Sequence, residues 1–283
     1  SDLVIHFFTW GKGYEFLARA IPSGSPSYRL HALEPYPWIR RSRIPGVRLA
    51  RMTAAFARAY LWNTRLLRRA ARELGPEVVL LDSDYHFAAF WGLQGKLYFL
   101  GQAIDVIDRA SRIGYRPGWL SRLSFLACEV GDALLQRLVA DRVFVPSFLE
   151  QEDAASNAPV LRVPLIVREE FRYVSPTAES LGGTLVVGSG SRIDCDRLDR
   201  LGAALGGTIF RSASDEVRLT SPSDFNAAEI VVIQGGLSSI SECIALRKPM
   251  VVVPIRGRAE QEVNARTVEN LGLGVACEHD DFG

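Results

Sequence analysis

Residues 234–265 read QGGLSSISECIALRKPMVVVPIRGRAEQEVNA. Two glycines and a group of serines separate the apolar run EIVVI (229–233) from a helix pattern, SSISECIAL. The run MVVVP (250–254) follows, then a second helix pattern, EQEVNARTVENL (260–271). Short, unalternating Val/Ile runs between amphipathic stretches mark parallel strands covered by helices on both faces. The stretch therefore predicts consecutive βα units of an α/β fold.

The same alternation extends in both directions. TLVVG (184–188), DRLDRLGAAL (196–205), TIF (208–210) and GVAC (274–277) complete a carboxy-terminal series of strands and helices. Upstream, LVIHFF (3–8), YRLHAL (28–33), VVLL (78–81), KLYFL (96–100) and RVFV (142–145) read as strands. YEFLARAI (14–21), residues 47–74 and WLSRLSFLACEVGDALLQRLV (119–139) read as helices, the second stopped by Gly75-Pro76. The pattern occurs twice, which predicts two Rossmann-like, doubly wound parallel-sheet domains facing a cleft. Ligands are then expected at the carboxyl ends of the strands. The expected boundaries are an amino-terminal domain over 1–166, a linker over 167–183 (VREEFRYVSPTAESLGG) and a carboxy-terminal domain over 184–283.

The totals exclude several classes. The 283 residues are 48% hydrophobic and 23% charged with a net charge of +1, which suits a globular protein with a substantial core. The four cysteines form no CxxC pair, so a zinc site is not expected and a reducing cytoplasm is. The start, SDLVIHFF, has no basic leader, and no apolar run reaches the roughly 18 residues of a membrane span.

Two turns carry the candidate chemistry. VVGSGSRID (186–194) leaves a strand through Gly188, Ser189, Gly190 and Ser191. Gly235 and Gly236 repeat the arrangement, with Ser238, Ser239 and Glu242 behind them. Glycines let the backbone approach a ligand, and a helix start favours an anion. Either turn can also be a tight connection with a serine cap, and Glu242 can also be a glutamate complementing the helix dipole. Gln261 and Asn264, three apart, share a helix face suited to reading hydroxyls, or to polar surface. Arg256 and Arg258 add charge to the same region or are solvated.

Together these residues resemble the GT-B glycosyltransferases of the MurG type, most strongly over 235–274. The order of the GG turn, hydroxyl residues, Glu, Pro, strand, Q-x-x-N-A and G-x-G is similar to that family's donor site. The resemblance implies inverting transfer of a sugar from a nucleotide-diphosphate donor, most often a UDP-sugar, to a lipid-linked or small polar acceptor. It implies that Glu242 holds the ribose, Ser238 and Ser239 meet the diphosphate, Gln261 and Asn264 meet the sugar, and Gly188–Ser191 form the other phosphate-side loop. No metal or other cofactor is implied. On the acceptor side Gly11, Gly13 and Gln102 match in outline, but Tyr14 stands where the family carries histidine. The replacements considered for proton transfer are Asp84 and His86, in LLDSDYH. An N-cap of the following helix is the alternative for Asp82 or Asp84. The family's long returning helix is not in the sequence, so the carboxy-terminal domain reads as a short variant or as incomplete.

Two other functions fit the same scaffold. PLIVREEF (164–171) is similar to the interdomain segment of the nucleotide-sugar hydrolase of the pseudaminic-acid pathway. Tyr14 also suits a non-catalytic nucleotide-sugar-binding partner subunit. Finally, residues 29–72 hold eleven arginines against one glutamate. Arg51, Arg58, Arg65, Arg69 and Arg72 share a helix face with Trp62, opposite Phe56, Tyr60, Leu67 and Leu74. That face is suited to an anionic membrane surface, peripheral at the inner membrane, or is a solvated surface. No nucleic-acid module is present.

Overall fold

The computed structural model describes residues 3–22, 24–36, 45–82, 84–148, 158–174, 182–188, 195–205, 210–211 and 220–277. It forms two compact units, Ser1–Tyr98 and Phe99–Gly283.

The first unit contains β1 (Ile5–Thr9), α1 (Gly11–Ala20), β2 (Tyr28–Ala32), α2 (Pro45–Leu74) and β3 (Val78–Asp82). A 3-10 turn over His86–Phe90 follows, and β4 (Lys96–Leu100) runs across the division. β1 and β2 pair in parallel, with Ile5 opposite Tyr28 and Thr9 opposite Ala32. α2 buries Ala59, Asn63, Leu67 and Ala71, a seam with a four-residue spacing that a helix places on one face. Asn63 sits in that seam because its amide bonds both backbone groups of Glu34, at 2.8 and 3.0 Å. Arg58, Arg65, Arg69, Arg72 and Trp62 are exposed, and the Arg51 side chain lies outside the described residues. Phe56 and Leu74 are exposed as well, so the buried seam is narrower than the sequence pattern suggested. The helix ends on Gly75, whose φ of +56° is the left-handed cap that glycine adopts without a Cβ clash.

The second unit begins with α3 (Ala103–Arg112) and α4 (Trp119–Ser124). A π-helical turn over Phe125–Val130 joins α4 to α5 (Gly131–Val139). β5 (Arg142–Pro146) and β6 (Val160–Val163) pair in parallel. The sequence pattern did not mark α3, because its buried face contains Asp105 and Arg109 beside Ile104 and Val106, which breaks the apolar period. After α6 (Glu169–Arg172) come β7 (Thr184–Val187), α7 (Cys195–Ala204), β8 (Phe210–Arg211), α8 (Pro222–Ala227), β9 (Ile230–Ile233), α9 (Leu237–Ala245), β10 (Met250–Val252), α10 (Ala259–Asn270) and β11 (Gly274–Ala276). The last five strands form one parallel sheet in the order β8-β7-β9-β10-β11. Its core includes Leu185, Val231, Ile233, Ile240, Val252 and Val268. Phe171, within the predicted linker, is buried in the same core and meets Phe225 edge to face at 5.2 Å. The chain is thus of the α/β class, with doubly wound parallel sheets.

Candidate functional site

Strand order reverses between β7 and β9. Chain leaving β7 turns to one side and chain leaving β9 to the other, the arrangement at whose strand ends open α/β sheets bind ligands. Val187 and Ile233, the last residues of these strands, are partners in register. Gly188 and the Gln234–Gly236 turn therefore leave the sheet side by side. Ser189, Gly190 and Ser191 lie outside the described residues.

The two glycines of the second turn have different reasons to be glycine. A Cβ at Gly235 would fall 2.6 Å from the Gln261 carbonyl oxygen, so only glycine lets α10 pack against the turn. Among the described residues a Cβ at Gly236 would meet nothing within 4 Å. Gly236 is the N-cap of α9 and supplies no side-chain cap, which leaves the helix start with the amides that any helix presents there. Ser238 is exposed and Ser239 half-buried in that first turn.

Glu242 lies one turn further and is only 5% exposed. Its Oε1 accepts a hydrogen bond from Arg168 Nε at 2.6 Å. Burial pushes this carboxyl above the usual range, Arg168 pulls it back, and Glu170 adds to the rise. Arg168 also donates to the Thr220 carbonyl at 2.6 Å and lies over the Phe171 ring at 4.6 Å. The sequence pattern had left Arg168 in the linker, and an isolated arginine there carries no signal of its partner 74 residues away.

The two amides of α10 diverge. Gln261 accepts from the Ile255 backbone N–H at 2.9 Å, fixing the loop after β10, and stays half-buried. Asn264 is fully buried; its Nδ2 donates to the Gly235 carbonyl at 2.8 Å and its Oδ1 accepts from Arg109 Nη2 at 2.7 Å. In this arrangement Asn264 ties the glycine turn to Arg109. Its partner Arg109 is 1% exposed and also bonds Asp105 at 2.6 Å and Thr267 at 3.0 Å. Ser147 completes the group through Asp105. The only sequence trace of this network is the i, i+4 spacing of Asp105 and Arg109.

Gln102 is the N-cap of α3, and its Nε2 donates to Glu260. Glu260, which the sequence reading passed over, is thereby placed beside Gln261 at the start of α10. Burial raises its pKa, against Gln102, Arg258 and Arg109. Burial and the charges of Glu260 and Asp132 also push the buried Glu129 up to about 7.

In the first unit His86 is buried. Its Nδ1 pairs with Asp84 Oδ1 at 2.5 Å, its Nε2 with the Tyr36 hydroxyl at 2.7 Å, and Tyr60 stacks on its ring at 4.7 Å. Both ring nitrogens are used internally. Asp84 also accepts the His86 backbone N–H at 2.8 Å, starting the 3-10 turn, while its side chain remains 29% exposed. Gly11 opens α1 with φ +56°, and a Cβ on Gly13 would fall 2.7 Å from Thr9 Oγ1. Tyr14 is half-buried in the first turn of α1. Among the described residues no group of His, Cys, Asp and Glu could hold a metal ion.

Residues 193–283 match the family described as glycosyl transferase family 1. A 49-residue stretch is 45% identical to an uncharacterized glycosyltransferase of Methanopyrus kandleri, covering 17% of this chain and 14% of that protein. A 63-residue stretch is 33% identical to the UDP-N-acetylglucosamine--N-acetylmuramyl-(pentapeptide) pyrophosphoryl-undecaprenol N-acetylglucosamine transferase of Methylobacterium radiotolerans, covering 22% of this chain and 17% of that one. The matched stretches thus span less than a fifth of either curated relative's length. Among solved structures, Arabidopsis thaliana UGT89C1 complexed with UDP-L-rhamnose superposes with a TM-score of 0.60 at 14% identity, over 97% of this chain and 77% of that one. At that identity the likeness is one of fold.

Proposed function

We propose that this chain, a GT-B glycosyltransferase of the MurG-like type by its fold and its family 1 segment, moves a sugar from a nucleotide-diphosphate donor to an acceptor hydroxyl. The observation that carries this reading is the pairing of Val187 with Ile233, which sets the Gly188 turn and the Gly235–Gly236 turn side by side at the point where strand order reverses. A diphosphate there meets the start of α9, with open space above Gly236 and the hydroxyls of Ser238 and Ser239 at hand. Glu242, one turn further along α9, takes the ribose hydroxyls, with Arg168 pulling its pKa back down against burial. Gln261 and Glu260, at the start of α10, are the sugar contacts, in place of the buried Asn264.

The chemistry is an inverting displacement. The acceptor oxygen bonds to the anomeric carbon as the bond to the diphosphate oxygen breaks. The acceptor proton passes to a carboxylate, for which the partly exposed Asp84 is a better candidate than the enclosed His86. Backbone amides and the helix dipole stabilise the charge that appears on the departing diphosphate. UDP-sugars are the favoured donors, since one relative with a 33% identical stretch is a UDP-N-acetylglucosamine transferase. The acceptor is lipid-linked or small and polar, and the exposed arginines of α2 supply charge for an anionic surface.

The test is a thermal-shift screen with UDP-, GDP- and dTDP-sugars, followed by product analysis. A donor that raises the melting temperature and releases nucleoside diphosphate only when an acceptor is added supports transfer. Free sugar released without acceptor points to hydrolysis, and stabilisation without turnover points to a binding subunit. No stabilisation by any nucleotide sugar would remove the donor site.

A further inference from the structure

Tyr36, His86 and Asp84 form a chain of hydrogen bonds within the first unit. The Tyr36 hydroxyl lies 2.7 Å from His86 Nε2, and His86 Nδ1 lies 2.5 Å from Asp84 Oδ1. Chemistry sets the direction of both bonds. Asp84 Oδ1 also accepts the His86 backbone N–H at 2.8 Å, and an oxygen that takes two hydrogens in this way belongs to an ionised carboxylate. An ionised Asp84 fixes the ring proton on Nδ1. Nε2 of the neutral ring is then an acceptor and takes the Tyr36 proton. The middle of the chain is enclosed, since His86 is buried and the Tyr60 ring stacks on it with the planes 15° apart. Its two ends are open by comparison, with Tyr36 half-buried and Asp84 partly exposed.

A histidine kept only for packing does not need two accessible ends. Tyr36 lies shortly after β2 and Asp84 shortly after β3. Both ends therefore sit past the carboxyl ends of parallel strands, where α/β proteins place their ligands. The Tyr36 ring is held by Phe56, stacked at 4.6 Å, and by Trp10, edge-on at 5.4 Å. Asn63, buried in the α2 seam, hydrogen-bonds the Tyr36 oxygen. Burial raises the Tyr36 pKa, Asn63 opposes the rise, and Asp84 and Tyr60 add to it. At neutral pH Tyr36 therefore keeps its proton and is suited to passing one on. A phenol oxygen can donate to His86, accept from Asn63 and still accept once more.

We propose that Tyr36 is the catalytic residue that meets the acceptor hydroxyl, and that it relays the acceptor proton to the His86–Asp84 pair. This rests on the sugar-transfer reading and names the atom through which Asp84 acts in it. As the acceptor oxygen bonds to the anomeric carbon, the bond from that carbon to the diphosphate oxygen breaks, and the diphosphate takes the electron pair. The acceptor proton moves to Tyr36 Oη, and the Tyr36 proton moves to His86 Nε2. The imidazolium so formed faces the Asp84 carboxylate, and the pair passes from singly negative to neutral. After the product leaves, Tyr36 gives a proton to water and recovers the one on Nε2, which restores the starting state. His86 acts through Tyr36 and is a positioning residue.

The test is Tyr36→Phe, which removes the hydroxyl and keeps the ring between Phe56 and Trp10. Nucleoside diphosphate release from UDP-, GDP- and dTDP-sugars is measured with sugar, alcohol and phenol acceptors, in light and in heavy water. The variant should lose about 100-fold in kcat. Its KM for the donor and its nucleotide-induced rise in melting temperature should stay at wild-type values. Heavy water should slow the wild type by a larger factor than the variant. Wild-type turnover in Tyr36→Phe would overturn the relay and leave sugar transfer standing, as would equal solvent isotope effects in the two proteins. Turnover lost together with nucleotide-induced stabilisation would make Tyr36 a structural residue and overturn the relay too. A wild type inactive with every donor would remove the transfer reading, and the relay with it.

Discussion

Arg109 Nη2 donates to Asn264 Oδ1 at 2.7 Å, joining α3 to α10 across 155 residues of sequence. Asn264 then holds the Gly235 carbonyl, so a buried arginine supports the turn that shapes the candidate donor crevice. Burial lowers the pKa of Arg109, and Asp105 is the strongest influence restoring it. Arg109→Leu leaves Asp105 buried without its cation and should cost about 3–5 kcal/mol. Urea unfolding measures this, and a loss under 1 kcal/mol would show that the network bears little of the fold.

Gly235 and Gly236 should respond differently to alanine. Gly235→Ala forces a methyl against the Gln261 backbone and should destabilise the protein by about 1–3 kcal/mol. Gly236→Ala faces open space and should leave the melting temperature within about 1 °C while weakening nucleotide binding. Equal effects of both on stability would contradict the geometry.

Glu242→Ala is expected to abolish nucleotide-induced stabilisation. Arg168→Ala removes what pulls the Glu242 carboxyl down, so its pKa should climb further. Nucleotide affinity in that variant should then fall on acidification at a higher pH than in the wild type. Identical pH profiles for the two proteins would separate Arg168 from the site.

Glu129 sets a pH dependence of stability. Its folded pKa, about 7, lies above its ordinary value of 4.5. Between those values the folded state holds a proton that the unfolded state releases. Stability contributed by this group is therefore present below about pH 4.5, falls as pH rises to about 7, and changes little beyond. Glu129→Gln should flatten that slope and make the protein more stable than wild type at pH 7.5. A variant less stable than wild type at that pH would refute the account.

His86→Ala and Asp84→Ala should separate structure from chemistry. Loss of the buried imidazole strips partners from Tyr36 and Asp84 and should lower stability by about 2 kcal/mol or more. Asp84→Ala should affect turnover far more than stability. Full turnover in Asp84→Ala would exclude it as the proton acceptor.

The α/β class and the Gly235–Gly236 turn were legible because their signals are local. EIVVI, MVVVP and TLVVG carry strand character in consecutive residues, and Gly235-Gly236 marks a turn without reference to any distant residue. α3 escaped notice because Asp105 and Arg109 are buried only by virtue of Asn264, Thr267 and Ser147. β6, four residues at the end of the amino-terminal pattern, offered too little period to read.

Sequence by itself determined the kind of architecture and the place of the Gly235–Gly236 turn ahead of α9, since both follow from residue order within about ten positions. Tertiary structure alone decided which polar side chains remain for a ligand. Asn264 and His86 look available in the chain and are consumed inside the fold, while Glu260 and Arg168, silent in the chain, are brought to the site. The physical reason is that a buried polar group must find its hydrogen-bond partner wherever the fold supplies one. The most distant of those partners here lie 50 to 158 residues away.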